Sequence, residues 1–390
     1  MKKVMLFNHL AYPDAITGAE KSLVLLARVL VKNKYEIRAV SPCLGIVTQE
    51  LRNLGASIKV IPYHSHFREM MYPAPGFLER LEQVKKNGMN QMLELHRAVN
   101  LYQPDLAIVN SVVNVLSATV AKARGIPVIW FIREPIVSEE NHTKESVRLV
   151  GRLSNLVVAN SAEIAALFAG NGLQKKVVFL PNAVDLGLLQ EERWAEFRQK
   201  LREKLGIKEG QCLVGYLGAL SEVKGPEHFI EMAGKVGSQV PGTVFCLAGS
   251  SDSERYLIKL KKVALEKASG VPIHFLGFWQ NINSLLPAFD LVVVPSLVAE
   301  GCPRVVLEAM AFAKPVVAYQ VGGVSELVRQ DQTGYLAPLK NMEGFAAQVL
   351  TLVKDPARRV IFGQEARRLI ETGYSMDRYE EKLKTILSGI

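Results

Sequence analysis

The sequence predicts an α/β protein built from two doubly wound parallel sheets, and three observations carry that prediction. At 390 residues the chain is too long for one ordinary core, so two domains are expected. Short Val/Ile/Leu-rich runs, bounded by Gly, Pro, Asp or Asn, alternate with helical periodicity along the whole chain. Strands covered by helices on both faces read in this way. The alternation also stops and restarts once, at "LPNAVDLGLL" (180–189).

In chain order, the first strand is "KVMLFN" (3–8), followed by the amphipathic helix "GAEKSLVLLARVLVKN" (18–33). Next come "YEIRAVS" (35–41), the helical "TQELRNLG" (48–55) and "SIKVIPY" (57–63). Later strands of the first half are "DLAIVN", "IPVIWFI", "NLVVAN" and "KVVFLPN". After the helical "EERWAEFRQKLREKLGI" the second half gives "CLVGYLG", "TVFCLAG", "PIHFLGF", "DLVVVPS" and "PVVAY", each followed by a helical pattern. These are two Rossmann-like domains, expected over 1–185 and 186–374. The closing helix (about 375–390) is open to either domain, including packing on the first. Residues 63–97 break the rhythm with a polar-aromatic loop carrying two prolines and then a helix, and long insertions of this kind tend to line a site. In open parallel sheets ligands sit at the carboxyl ends of the strands, so a cleft between two such sheets is the expected site.

Composition narrows the function. The net charge of +9 is uneven: residues 1–185 hold 22 Lys and Arg against 15 Asp and Glu. A basic first half suits an anionic substrate, an acidic lipid surface or nucleic acid, or is simply a solvated surface. The charge is diffuse and no aromatic-basic interleaving occurs, so nucleic acid is not an expected partner. The four cysteines, Cys43, Cys212, Cys246 and Cys302, form no CxxC pair, which argues against zinc or a disulfide framework and fits a reducing compartment. The seven histidines show no metal spacing, and no metal site is expected. The basic-then-apolar start ends its apolar run at Asn8 and reads as a buried strand rather than an export signal. No apolar run approaches the roughly 20 residues of a membrane span. A cytoplasmic protein is expected, either soluble or peripheral at the inner face of a membrane.

Four stretches carry chemistry. In "SLVAEGCPRVVLEAMAFAKPVVA" a buried strand leads to a loop holding Glu300 and then to a helix holding Glu308. Backbone amides of Gly301, Cys302 and Arg304 at that helix start bind anions, whereas Pro303 has no N–H to give. Both glutamates, acceptor-only when ionised, suit a polyhydroxylated ligand such as a sugar and a ribose diol. The plain alternative is one surface acid and one helical acid. In "VGYLGALSEVKGPEHFIEMA" a strand ends at Gly218 and Lys224 stands in the strand-to-helix loop, either as a phosphate cation or as a solvated lysine. Neither GxxxxGK[ST] nor GxGxxG occurs, so nicotinamide and flavin cofactors are not implied, and no cofactor is expected. In "DAITGAEKSL", Gly18 lets backbone approach a ligand or simply enters a helix. In "WFIREP", Arg133 and Glu134 leave a buried strand and either pair with each other or serve the site.

The order and spacing of "TGAEKSL", "LPNAVD", "LGALSEVKG", "FLGFWQNINSLLPAFDLVVVPSL" and "EGCPRVVLEAMAFAKPVVA" resemble those of the retaining GT-B glycosyltransferases of family four (group 1), over nearly the whole chain. The glutamate pair eight apart, followed by EAMA, is the most specific signal. The resemblance implies that Glu300 contacts the transferred sugar. Gly301, Cys302, Pro303 and Arg304 would line the sugar diphosphate, Glu308 would bind the nucleotide ribose and Lys224 the diphosphate. Gly18 would let the first domain's loop close over the diphosphate, and Gly277 and Phe278 fall at the base-binding loop. Three departures stand out. Ala219 replaces a frequent Arg, Arg133 stands where many members have His, and Cys302-Pro303 replaces the usual Phe-Gly. Arg133 or Arg304 is expected to restore the lost positive charge, and Arg133 joins Glu300 and Lys224 as a catalytic candidate. The implied activity is metal-independent transfer of a sugar, with retention, from a nucleotide-diphosphate sugar to a sugar or lipid-linked sugar acceptor. Two rival readings are a GT-B nucleotide-sugar epimerase and an inactive nucleotide-sugar-binding subunit. The segment "FLERLEQVKKNGMNQMLELHRAV" places Lys and Arg among apolar residues at helical spacing. It either rests on an anionic membrane or covers a small soluble acceptor.

Overall fold

The computed structural model describes the chain apart from residues 14–15, 63–69, 71–75, 137–139, 252 and 390, and apart from the side chains at 77, 83, 84 and 87. The expected loop at 63–75 thus lies almost wholly outside the described residues. The chain divides into two compact units, Met1–Asn182 with Glu380–Ile390, and Ala183–Tyr379.

The first unit holds a parallel sheet of β1 (Lys3–Phe7), β2 (Glu36–Ser41), β3 (Ser57–Val60), β4 (Leu106–Asn110), β5 (Val128–Ile132), β6 (Leu156–Ala159) and β7 (Val177–Phe179). The strand order is β3-β2-β1-β4-β5-β6-β7. Its helices are α1 (Gly18–Lys32), α2 (Ile46–Asn53), α3 (Phe77–Asn87), α4 (Met89–Tyr102), α5 (Val115–Ala123), α6 (Glu140–Leu153) and α7 (Ala162–Phe168). β4 and β5 are buried along their full length, as strands sandwiched between helices must be. α1 starts where Thr17 and Glu20 close a reciprocal capping box: the Thr17 amide donates to Glu20 Oε2 at 2.7 Å, and the Glu20 amide donates back to Thr17 Oγ1. The apolar pattern over 77–99 forms two helices rather than one, because Gly88 separates α3 from α4. Leu81, Leu95 and Val99 turn inward, while Leu78, Met89 and Leu93 stay exposed.

The second unit holds β8 (Leu213–Leu217), β9 (Val244–Ala248), β10 (Ile273–Gly277), β11 (Leu291–Val294), β12 (Val316–Tyr319) and β13 (Gly334–Ala337), again all parallel, in the order β10-β9-β8-β11-β12-β13. Its helices are α8 (Trp194–Lys204), α9 (Pro226–Gln239), α10 (Glu254–Lys267), α11 (Arg304–Ala311), α12 (Val324–Leu327), α13 (Met342–Lys354) and α14 (Pro356–Gly373). The final helix, α15 (Met376–Ser388), starts with this unit and from Glu380 onward belongs to the first, where Glu380 meets Lys32 at 2.7 Å. β13 is absent from the strands read off the sequence. It has four residues, opens on Gly334 and ends before Pro338, so it lacks the apolar run that marked the others.

At the amino edge of the second sheet, Asp290 is a structural hub. It accepts from the Leu213 amide at 2.7 Å, from Arg198 at 2.8 Å and from Arg202 at 3.1 Å, which joins β8, α8 and the start of β11. Burial alone pushes this carboxyl up, but the two arginines and the amide outweigh it and hold it below the usual carboxylate range.

Candidate active site

The carboxyl edge of the second sheet gathers most of the residues singled out from the sequence. Gly218 follows β8, Gly277 ends β10 with Phe278 just beyond it, and Glu300 to Arg304 join β11 to α11. This is the end at which parallel α/β sheets bind ligands. The strand ends are laced together: the Gly218 amide donates to Ala248 O at 3.0 Å, and the Gly249 amide donates to Gly277 O at 2.8 Å. Phe278 is exposed, which leaves an aromatic face beside this edge.

Lys224 and Glu300, read from segments 76 positions apart, meet here. Lys224 Nζ lies 2.7 Å from Glu300 Oε2. The other carboxylate oxygen, Oε1, accepts from the Ser296 hydroxyl. Lys224 ends a short 3-10 turn (Glu222–Lys224), and two contacts fasten that turn to the segment after β11. The Leu297 amide donates to Val223 O at 2.9 Å. Gly225, at φ +67°, lies so close to Pro295 that a Cβ would stand 2.1 Å from its carbonyl oxygen. Only glycine accepts both that dihedral and that approach.

The backbone of Glu300 is gripped from the β12 side. The Gly323 amide donates to Glu300 O at 2.7 Å. A Cβ on Gly322, at φ +51°, would stand 2.3 Å from that same oxygen and 2.7 Å from the Glu300 nitrogen.

Glu308, one turn into α11, is buried at 8% exposure and pairs with Arg304 through Nη2 at 3.1 Å and Nε at 3.2 Å. Arg304 Nη1 also donates to Ala183 O at 3.3 Å. Pro303 is the N-cap, and its carbonyl accepts from the Val306 and Leu307 amides at 3.2 and 3.3 Å. Gly301, Cys302 and Pro303 are buried. Leu307, Met310 and Ala311 form the apolar face that seats the helix. Ala219, the departure from a basic residue, uses its carbonyl to accept from Tyr216 Oη at 2.7 Å. Burial first, and Glu300 second, raise the pKa of that phenol. The site is therefore a carboxylate held on both oxygens, a second buried carboxylate held by an arginine, a helix start between them and one partly exposed ammonium. An ammonium has three donors, so the contact with Glu300 leaves Lys224 with capacity for a further anion.

The first unit carries a separate polar cluster at the carboxyl edge of its own sheet. Arg133, 7% exposed, donates from Nε to Asn110 Oδ1 at 2.6 Å and from Nη1 to Asn182 Oδ1 at 2.9 Å. Its carbonyl accepts from Asn160 Nδ2 at 3.3 Å. Glu134 takes other partners, accepting from the Val112 amide at 3.3 Å, and burial raises its pKa despite them. Arg133 and Glu134 thus leave β5 toward different groups. Burial, with Arg133 nearby, lowers the His9 pKa to about 4, so that imidazole is neutral at physiological pH. Gly18 is the exposed first residue of α1.

Ser296, Gly322, Gly323 and the asparagines around Arg133 were not singled out from the sequence. Ser296 stands four residues before Glu300 in "PSLVAEG", and that spacing across a loop was the one available signal. Among the described residues no group of three or more His, Cys, Asp or Glu is arranged to hold a metal, and no helix is long and apolar enough to cross a membrane.

Comparison with known proteins assigns the family. The model for glycosyl transferases group 1 matches residues 197–369, and that for glycosyltransferase family 4 matches residues 16–188. Among curated relatives, the UDP-Gal:alpha-D-GlcNAc-diphosphoundecaprenol alpha-1,3-galactosyltransferase of Escherichia coli is 27% identical over 223 residues, 54% of each chain. The N-acetyl-alpha-D-glucosaminyl L-malate synthase of Bacillus anthracis is 25% identical over 187 residues, 48% of each. The chain spans about half the length of these curated relatives. Among solved structures, Anabaena HepE in complex with UDP has a TM-score of 0.80 at 22% identity, with both chains fully covered. WaaG, a glycosyltransferase involved in lipopolysaccharide biosynthesis, has a TM-score of 0.70 at 16% identity, with 99% of this chain and 100% of WaaG covered. At such identities these structures speak for the fold alone. With one family model on each half and a Rossmann-like parallel sheet in each unit, the chain belongs to the group 1 glycosyltransferases of GT-B fold.

Proposed function

We propose that the protein is a retaining glycosyltransferase that moves a sugar from a nucleotide-diphosphate sugar to a hydroxyl acceptor. The observation that carries this reading is the meeting of Lys224 and Glu300 at 2.7 Å, next to the Arg304–Glu308 pair at the start of α11. These groups match the successive parts of one donor. Glu300 accepts hydrogen bonds from sugar hydroxyls, Lys224 and the amides of Gly301, Cys302 and Arg304 attract the diphosphate, and Glu308 accepts from the ribose diol. Gly218 leaves room beside the diphosphate, and Gly277 and Phe278 border the base. HepE, with the same fold, has been solved with UDP-glucose as well as UDP.

The bond from the anomeric carbon to the diphosphate breaks first, and negative charge grows on the leaving oxygens. Lys224 and the helix amides stabilise that charge in place, so the transition state gains more from them than the ground state does. The departing phosphate oxygen takes the proton of the acceptor hydroxyl, which attacks from the same face and gives retention. The fixed cations serve this step without a metal. Gly18 and Arg133 remain candidates from the first unit, to which we assign the acceptor.

We assign the acceptor to the sugar or lipid-linked sugar class. The E. coli relative is named for a diphosphoundecaprenol-linked sugar, and here α3 and α4 expose Leu78, Met89 and Leu93 among basic residues, as a peripheral contact with an anionic membrane requires. Co-flotation with acidic liposomes supports this contact, and equal flotation with neutral ones removes it.

The test of the activity is a transfer assay over a panel of nucleotide sugars, chelator present, with and without lipid-linked and free sugar acceptors. Product NMR reads the anomeric configuration. The reading expects nucleoside diphosphate release that depends on acceptor, and an α linkage from an α donor. A β linkage contradicts retention, and an epimer formed from donor alone contradicts transfer.

A further inference from the structure

We propose that Ser296 is a positioning residue for the donor sugar, acting by fixing the plane of the Glu300 carboxylate. This deepens the assignment of Glu300 to the sugar and rests on it. Ser296 lies just beyond β11 and is 2% exposed, so its hydroxyl is withdrawn from bulk water and is satisfied by a protein partner. That partner is Glu300 Oε1, while Lys224 holds Oε2 from the other side. The terminal torsion of a glutamate is broad when left alone. Two donors on opposite oxygens reduce it to one orientation.

The two grips differ in kind. Lys224 is 34% exposed at its side chain and sits on a turn, and in the proposed reaction its charge is drawn toward the diphosphate once donor binds. Ser296 is buried at a strand end and has no such second task. It is the grip that persists while the sugar is bound, and it keeps a carboxylate lone pair aimed where the sugar hydroxyl arrives. The main chain is already fixed by Gly322 and Gly323, so the carboxylate torsion is the freedom that Ser296 removes.

Calorimetry separates this role from a merely structural one. The ligands are the nucleotide sugar that binds wild type most tightly, chosen among UDP-glucose, ADP-glucose and GDP-mannose, and its own nucleoside diphosphate. Ser296→Ala is expected to weaken the nucleotide sugar about tenfold, as loss of a hydrogen bond to a charged group does, and to leave the nucleoside diphosphate unchanged. Ser296→Thr, which keeps the hydroxyl, is expected to restore the sugar increment. Ser296→Cys, nearly isosteric with a weak donor, is expected to lose most of it, and it replaces the alanine variant if that protein fails to fold. Added to Glu300→Ala, Ser296→Ala is expected to cost nothing further, because the carboxylate it orients is then gone. Equal losses for both ligands, no loss in Ser296→Ala or Ser296→Cys, or a full additional loss on the Glu300→Ala background overturns the proposal. If Glu300→Gln loses the sugar increment and the Ser296 variants do not, the Ser296 proposal alone falls. If Glu300→Gln binds the nucleotide sugar like wild type, the assignment of Glu300 falls, and this proposal with it.

Discussion

Replacing Gly322 with alanine tests how tightly Glu300 must be placed. The added Cβ would lie 2.3 Å from the Glu300 carbonyl oxygen and 2.7 Å from its nitrogen, and ordinary contact begins at about 3.4 Å. Both neighbours are backbone atoms, so about 1 Å of movement has to come from the chain. Gly322 also sits at φ +51°, where an L residue carries a penalty of about 1 kcal/mol. That penalty lowers the melting temperature by about 2–4 °C for a unit of this size. The effect on chemistry is larger, since about 1 Å of misplacement at a reacting group costs on the order of 100-fold in rate. Steady-state transfer kinetics, run beside a thermal melt, read both numbers. The expected result is a fall of about 100-fold in kcat/KM, with a drop in melting larger than the dihedral penalty alone because the clash is with backbone. Full turnover would refute the claim that the position of the Glu300 backbone limits the reaction. A collapse of stability with the residual folded fraction fully active would refute it as well.

Two further outcomes follow from the same geometry. Asp290→Asn leaves Arg198 and Arg202 without their buried counter-charge and should cost about 3 kcal/mol, or about 6–12 °C in the melting of the second unit. The Asp290 carboxyl is depressed when folded, so its stabilisation is complete above the unfolded value near 3.9 and is lost as pH falls through the lower folded value. The variant should therefore show a shallower acid limb in a stability-against-pH series, and an unchanged limb contradicts the assignment. Arg133→Met removes the donor from both Asn110 and Asn182 and should lower the stability of the first unit by about 2 kcal/mol or more in a denaturant titration. Arg133→Lys should not rescue it, because a single ammonium does not reproduce the planar fork, and wild-type stability in either variant contradicts this account.

Much of this was legible in the sequence because covered parallel strands are long apolar runs, and helices following them show a clear period. Twelve of the thirteen strands among the described residues were read from such runs. β13 escaped because its burial comes from pairing with β12 and not from a run of branched residues. The helix over 77–99 was read as continuous because periodicity passes through Gly88 even though the backbone does not. At the site, Lys224, Glu300, Arg304 and Glu308 were readable as charged groups at strand-to-helix junctions. Their partners were not. Ser296 looks like any strand-end serine until the loop brings it back onto Glu300. Gly322 acts on Glu300 only because β12 lies beside β11. Arg133 and Glu134 adjoin in sequence, which made a mutual pair a natural expectation. The strand order instead puts Asn110 and Asn182 around Arg133, a fact of topology that spacing does not contain.

The central claim, that one donor molecule is read in parts by Lys224, Glu308 and Glu300, is tested most directly by a ladder of ligands. Pyrophosphate, nucleoside diphosphate and nucleotide sugar are each titrated by calorimetry into wild type, Lys224→Ala, Glu308→Gln and Glu300→Gln. The account predicts that Lys224→Ala weakens all three, that Glu308→Gln spares pyrophosphate and weakens the two ligands with a ribose, and that Glu300→Gln weakens the nucleotide sugar alone. Losses that do not follow the ladder, above all a Glu300→Gln variant that weakens pyrophosphate as much as nucleotide sugar, would contradict it.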